Sequence, residues 1–210
     1  MNNIWGLLIW IIILALVVKW FKSKLPFWIG RSGEKFVNRK LAELDPNHYK
    51  VLDDLLLPSN GNTNTTQIDH VVVSSYGIFC IETKAHKGWI FGNANDQYWT
   101  QVIYKRKERF YNPLRQNYAH IKAVEELVNP IFPNARVYGF VAFPHADKLK
   151  ISGTDSVGHA RDVVAKISSL QIPIISDAER DKIYELLTNA DIKDKAQRKE
   201  HNRNVRALKK

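Results

Sequence analysis

The segment from Gln67 to Lys84 constrains this chain most. Two runs rich in β-branched and aromatic residues, Gln67–Val73 and Ile78–Lys84, flank the turn signal Ser74-Ser75-Tyr76-Gly77, a pattern that predicts a β-hairpin. The loop is either Ser75-Tyr76 or the four residues Ser74 to Gly77. Either even-length loop sets the same register: Val73 opposite Ile78, Val71 opposite Cys80, and Asp69 opposite Glu82. Directly opposed side chains share one face of a sheet with Cβ atoms about 5 Å apart, and like charges there repel. A divalent cation between two such carboxylates offsets the repulsion. Oxygen-only ligands favour Mg²⁺ or Mn²⁺ over zinc. Lys84 lies two residues beyond Glu82 and points to the same face. An ammonium there can orient or help deprotonate an attacking water, or neutralise charge on a phosphate.

Two helices bring further candidates. A helix is expected from about Gly33 to Leu44, with Val37, Leu41 and Leu44 as its apolar stripe. Glu34 lines up with that stripe, where a carboxylate is costly unless it is paired or binds metal. Asn112-Pro113 reads as the start of a second helix, Asn as N-cap and Pro at the first helical position, running to about Val128. Gln116 falls in its first turn, where a helix N-terminus favours a phosphate. Spacing alone also allows a plainer reading, in which Asp69, Glu82 and Lys84 form a surface ion-pair ladder and Glu34 is simply exposed.

Around these elements, Tyr49–Leu57 reads as a strand and Pro58–Thr65 as a turn-rich loop. Trp89–Phe91 and Tyr98–Tyr104 suggest a second hairpin around Gly92 to Asp96, and Val137–Phe143 another strand. Past Pro144 a helix is expected near Gly158 and a short strand at Ile172–Ile175. A capping box, Ser176 with Glu179, opens a helix to about Asn189. Lys193–Lys210 is polar and basic, a frayed helix or a disordered tail. Helix, three strands, helix and strand in that order indicate an α/β or α+β domain.

The N-terminus is of another kind. No charge occurs from Met1 to Val18, and Ile4–Val18 is almost wholly apolar, just long enough to cross a thin hydrocarbon core. Trp5, Trp10, Trp20 and Trp28 suit an aromatic belt. Lys19, Lys22, Lys24 and Arg31 follow the run, which predicts a single-pass anchor in the cell membrane with the domain cytoplasmic. A cleavable signal peptide normally has its positive charge before the apolar run. With 31 Lys and Arg against 21 Asp and Glu the formal net charge is +10, which points to a polyanionic partner, nucleic acid or an anionic membrane face. Lys105, Arg106, Lys107 and Arg109, with Tyr104, Phe110 and Tyr111, are candidates to track a phosphate backbone and stack bases; a solvated hairpin tip over core aromatics is the plainer reading. The basic tail suits DNA or anionic lipid. The single cysteine, Cys80, excludes an intramolecular disulfide and reads as a core residue. His70 falls on the face opposite Asp69 and reads as a packed or supporting histidine. His86, His120, His145 and His159 show no metal-ligand spacing.

Gly33-Glu34, Gln67-Ile68-Asp69-His70 and Gly77-Ile78-Phe79-Cys80-Ile81-Glu82-Thr83-Lys84 together resemble the nuclease-related domain, NERD. Gly88, Gly92, Trp99 and Asn112-Pro113-Leu114-Arg115-Gln116-Asn117 extend the likeness, which covers about Gly30 to Val128. The resemblance implies a restriction-endonuclease-like core, of the PD-(D/E)XK type, and a role in DNA processing. It also implies an active-site set of Glu34, Asp69, Glu82, Lys84 and Gln116, with Asp69, Glu82 and Glu34 as ligands of Mg²⁺ or Mn²⁺. The expected organisation is an anchor at 1–22, a juxtamembrane linker at 23–32, the nuclease-related domain at 33–145, an α/β extension at 146–190 and the basic tail at 191–210. Two functions fit: a membrane-anchored Mg²⁺-dependent nuclease that hydrolyses phosphodiester bonds in DNA, with endonuclease action among its possibilities, or a catalytically silent, membrane-tethered nucleic-acid-binding or scaffold module.

Overall fold

The fold was analysed in a computed structural model that describes residues 4–61 and 63–208, with the side chains at 4–9, 21–27, 206 and 208 outside the description. In chain order the elements are α1 (Ile4–Leu41), β1 (Tyr49–Pro58), β2 (Thr65–Ser74), β3 (Gly77–Thr83), β4 (Gly88–Asn93), β5 (Tyr98–Ile103) and β6 (Arg106–Tyr111). There follow α2 (Pro113–Val128), β7 (Val137–Ala142), β8 (Ala146–Ser152), β9 (Val157–Gly158), α3 (Ala160–Ser169), α4 (Asp177–Ala190) and α5 (Lys195–Leu208). One mixed sheet has the order β1-β2-β3-β7-β9 and a second the order β6-β5-β4-β8. The protein is therefore a mixed α/β fold with two mixed sheets.

Alternating strand residues place helices on both faces of the first sheet. On one face Val71, Val73, Ile78 and Cys80 pack with Val124 and Val128 of α2 and Ile183 and Leu187 of α4. On the other, Val72, Phe79, Ile81 and Phe140 pack with Val37 and Leu41 of α1 and Val163 and Ile167 of α3. A third cluster, Ile90, Trp99, Val141 and Phe143, joins the second sheet to the first. Two close approaches fix the helices that matter below. At Gly139 on β7 a Cβ would lie 2.6 Å from Ile121 Cδ1 and 2.9 Å from Asn117 Nδ2, so α2 rests directly on the strand. At Gly33 a Cβ would lie 2.8 Å from that of Ala85, so α1 presses on the chain just past β3.

Several expectations are corrected. Residues 23–32, expected as a juxtamembrane linker, are helical, because α1 runs unbroken from Ile4 to Leu41. Among the described residues no helix is long and apolar enough to cross a membrane, so the span expected over residues 1–22 finds no support there. The described stretch Trp10–Trp20, exposed throughout, covers about 15 Å of helix against a hydrocarbon core of about 30 Å. The side chains of residues 1–9, 21 and 22 lie outside the description. Ile172–Ile175 forms no strand; the Ile174 and Ile175 amides both donate to the Ser75 carbonyl (2.9 and 3.2 Å), a single anchor rather than a ladder. The tail forms α5, clamped by Arg198 on Asp54 and Asp191 and by His201 against Thr65. Strands β6 and β8 were not anticipated.

Candidate active site

The ladder takes the register expected of it as far as it runs: Val73 pairs with Ile78, Val71 with Cys80 and His70 with Ile81. Asp69 and Glu82 follow at the next step, where their charges are coupled. There the Asp69 carboxylate, rather than the ladder, takes the Thr83 amide, which donates to Oδ2 at 2.7 Å.

Glu82 is buried and held from two sides. Lys84 Nζ lies 2.6 Å from Oε1, and His120 Nε2 donates to Oε2 at 3.1 Å. Lys84 also donates to Gln116 Oε1 at 2.8 Å. Gln116 and His120 are one helical turn apart on α2, so one helix face meets the ammonium and the carboxylate together. Nδ1 of His120 shares a 2.7 Å hydrogen bond with the Thr66 hydroxyl. Because Nε2 faces a carboxylate, it carries the proton. The start of α2 is fixed by Asn112, whose Oδ1 accepts from Leu114 N (2.9 Å) while Nδ2 donates to the carbonyls of Ala94 and Asp96 (3.0 and 2.6 Å). Asn117 then ties α2 to both strands beneath it, donating to the carbonyls of Cys80 and Phe140 (3.1 and 3.0 Å).

The electrostatics separate the two central carboxylates. Burial pushes the Asp69 pKa well up, the adjacent Glu82 charge adds to this, and the Thr83 amide opposes it. Burial alone would raise Glu82 too, yet Lys84 and His120 hold it down at about 2. Glu34, from α1, is half-buried; burial raises its pKa, His70 opposes, and Asp54 and Glu82 add to the rise. His70 is buried, with Nδ1 2.7 Å from Asp53 Oδ1, while Asn38 holds the other oxygen of Asp53. Nε2 of His70 is buried without a hydrogen-bond partner among the described residues.

Glu82, Lys84 and Gln116 thus form one hydrogen-bonded chain, and Asp69, held by the Thr83 amide, and Glu34 are coupled to it through charge. Among the described residues no three His, Cys, Asp or Glu side chains stand ready as a joint metal cage. Sequence reasoning missed His120 and Thr66. The signal for His120 was its place four residues after Gln116 on α2; nothing local marks Thr66. The basic candidates divide. Lys107, Arg109 and Tyr111 lie exposed on one face of β6, Arg106 pairs with Glu108, Lys105 sits in the turn after Tyr104, and Phe110 faces the third core cluster.

The sequence profile of the nuclease-related domain matches residues 29–144. An uncharacterised protein of Bacillus anthracis is 35% identical over 181 residues, which cover 86% of this chain and 85% of that protein. The crystal structure of a protein of unknown function is 14% identical, with a TM-score of 0.32 over 86% of this chain and 98% of that one, a likeness too slight to bear on the fold. The chain belongs to the nuclease-related domain family.

Proposed function

We propose that this member of the nuclease-related domain family is a Mg²⁺-dependent nuclease that hydrolyses phosphodiester bonds in DNA. The observation that carries this reading is the chain Glu82–Lys84–Gln116 at the end of the β2–β3 hairpin, with the charge-coupled Asp69 beside it. The order α1, β1–β3 meander, α2, β7 supports a restriction-endonuclease-like core.

The donor chemistry fits a divalent cation. Asp69, Glu82 and Glu34 are three carboxyl groups coupled through charge, and a divalent ion would offset the repulsion between them. Asp69 and Glu82 would hold it, with the Thr83 carbonyl and with Glu34 directly or through water; Mn²⁺ suits the same oxygen set. When bound, such an ion lowers the pKa of water and stabilises negative charge on phosphate. Lys84 orients the attacking water and balances phosphate charge. Gln116 fixes the direction of the Lys84 ammonium and places substrate at the start of α2. His120 keeps Glu82 ionised and aimed.

Attachment to the cell membrane through the N-terminal part of α1, with the domain cytoplasmic, belongs to the same reading. It is supported by the exposed apolar side chains from Trp10 to Val18 and the cluster of lysines that follows.

One observation favours the catalytically silent alternative: both oxygens of Glu82 already have partners in Lys84 and His120. Cleavage assays on single- and double-stranded DNA and on RNA, with Mg²⁺ or Mn²⁺, separate the two. Metal-dependent cleavage lost in Asp69→Ala, Glu82→Ala and Lys84→Ala supports the nuclease. No cleavage by the parent protein, or undiminished cleavage by Asp69→Ala and Lys84→Ala, overturns it.

A further inference from the structure

The second sheet buries one face and leaves the other open. Ile90, Trp99, Phe110, Leu149 and Ile151 point into the third core cluster. The register fixes what lies opposite. Trp89 pairs with Val102 and Lys148, Phe91 with Thr100 and Lys150, Tyr98 with Tyr111, and Thr100 with Arg109. Since directly paired residues share a face, all of these side chains lie on the outer one.

That face carries a row of aromatic rings. Trp89 is 45% exposed, Tyr98 43% and Tyr111 48%, a degree of exposure that a buried role does not explain. Trp89 and Phe91 lie with ring centroids 6.2 Å apart along β4, and Tyr98 and Tyr111 6.0 Å apart across β5 and β6. Cations accompany the rings. Lys148 and Lys150 lie 5.3 and 5.0 Å from the Trp89 centroid, Lys150 lies 5.2 Å from that of Phe91, and Arg109 lies 5.0 Å from that of Tyr98. Lys107, paired with Val102, adds another. No paired position on this face holds a carboxylate. Open rings on a nearly flat strand surface accept unpaired bases, which offer a π-face whatever their identity, while interleaved ammonium and guanidinium groups take the phosphates. A duplex keeps its bases stacked inside and offers only phosphates. The sheet also adjoins the proposed site: β4 begins just past Lys84, and β6 ends at Tyr111, next to the Asn112 cap of the helix that carries Gln116.

We propose that the outer face of this sheet is a binding platform for single-stranded nucleic acid, with Trp89, Phe91, Tyr98 and Tyr111 stacking bases and Lys107, Arg109, Lys148 and Lys150 holding the backbone. It deepens the nuclease reading by naming the form of the substrate, yet it is tested by binding alone. The full chain in detergent with EDTA is titrated into fluorescein-labelled oligo(dT), the matching duplex, and phosphatidylserine vesicles. The expected result is tighter binding of oligo(dT) than of duplex. Trp89→Ala should weaken it about 5- to 100-fold, with partial rescue by Trp89→Phe. Lys148→Ala and Lys150→Ala should each lower the slope of log affinity against log salt by about 0.7. Circular dichroism and a thermal melt establish that each variant folds. Equal or tighter binding of duplex overturns the proposal, as does unchanged oligo(dT) binding by folded Trp89→Ala, or loss of vesicle binding only. Oligo(dT) bound through Trp89 by a protein that cleaves nothing with Mg²⁺ would sustain the platform and sink the nuclease.

Discussion

Asp69 and Glu82, neighbours across the β2–β3 hairpin, hold opposite acidities: Asp69 is pushed well above the ordinary carboxylate range by burial beside a charge, while Lys84 and His120 hold Glu82 at about 2. The signs run opposite ways in stability. Glu82, depressed from 4.5, contributes stability above that value and loses it as pH falls toward 2. Asp69, raised from 3.8, costs stability once ionised, so the metal-free protein recovers that cost as pH falls through the Asp69 titration. Asp69→Asn removes the repulsion and keeps an oxygen for the Thr83 amide. It should raise metal-free stability by about 1–2 kcal/mol while abolishing cleavage, read from urea melts with EDTA and from turnover with Mg²⁺. A destabilised Asp69→Asn protein would show that the two charges are not in conflict.

Lys84 pairs with Glu82 and is also the group aimed by Gln116. Lys84→Ala should cost at least about 100-fold in cleavage rate. It also frees Glu82 Oε1, so Mg²⁺ binding by calorimetry should be as tight as in the parent or tighter. Loss of metal binding together with activity would show that Lys84 builds the site rather than acting in it.

The hairpin could be read from sequence because its register depends on local facts, an even loop and alternating residues around it. The ends of α2 and α4 were equally legible, since Asn112-Pro113 and the Ser176–Glu179 capping box act within one turn. What escaped depends on distant pairing. Strand β8 is polar and short of aromatic residues, and its place is set by parallel pairing with β4, far away in sequence. The Thr66–His120–Glu82 line joins β2, α2 and β3, so no local pattern announces it. The aromatic platform was half visible at Lys107, Arg109 and Tyr111. Its other half arrives from β4 and β8, and Phe110, counted with it from sequence, points the other way.

His120 acts through Glu82 and is a positioning residue. Without its Nε2–H a buried carboxylate loses one of its two partners. His120→Ala should cost about 2–4 kcal/mol of stability and raise the Glu82 pKa above about 2, moving the acid limb of the cleavage profile to higher pH. His120→Gln, which keeps an N–H donor, should move that limb back. A pH profile unchanged in both variants would leave His120 a packing residue only.

Gly139 tests whether the seating of α2 governs the site. A Cβ at this β7 position would lie 2.6 Å from Ile121 Cδ1 and 2.9 Å from Asn117 Nδ2. The aliphatic tip of Ile121 can rotate away. The Asn117 amide cannot do so freely, because it bridges the Cys80 and Phe140 carbonyls and is itself buried. Gly139→Ala should therefore lift α2 slightly from the sheet and cost about 1–3 kcal/mol. The same helix carries Gln116 and His120, so a lift lengthens the contacts to Lys84 and Glu82 at once. Cleavage measured well below the melting temperature should fall by at least about tenfold, since misplacing catalytic groups by an ångström costs more rate than stability. Gly61→Ala, at an exposed loop position where a Cβ meets nothing closer than 3.4 Å, serves as the control and should change neither reading. If Gly139→Ala is destabilised by the expected amount yet cleaves at the parent rate, the position of α2 does not set the geometry around Lys84, and the roles given to Gln116 and His120 fall with it.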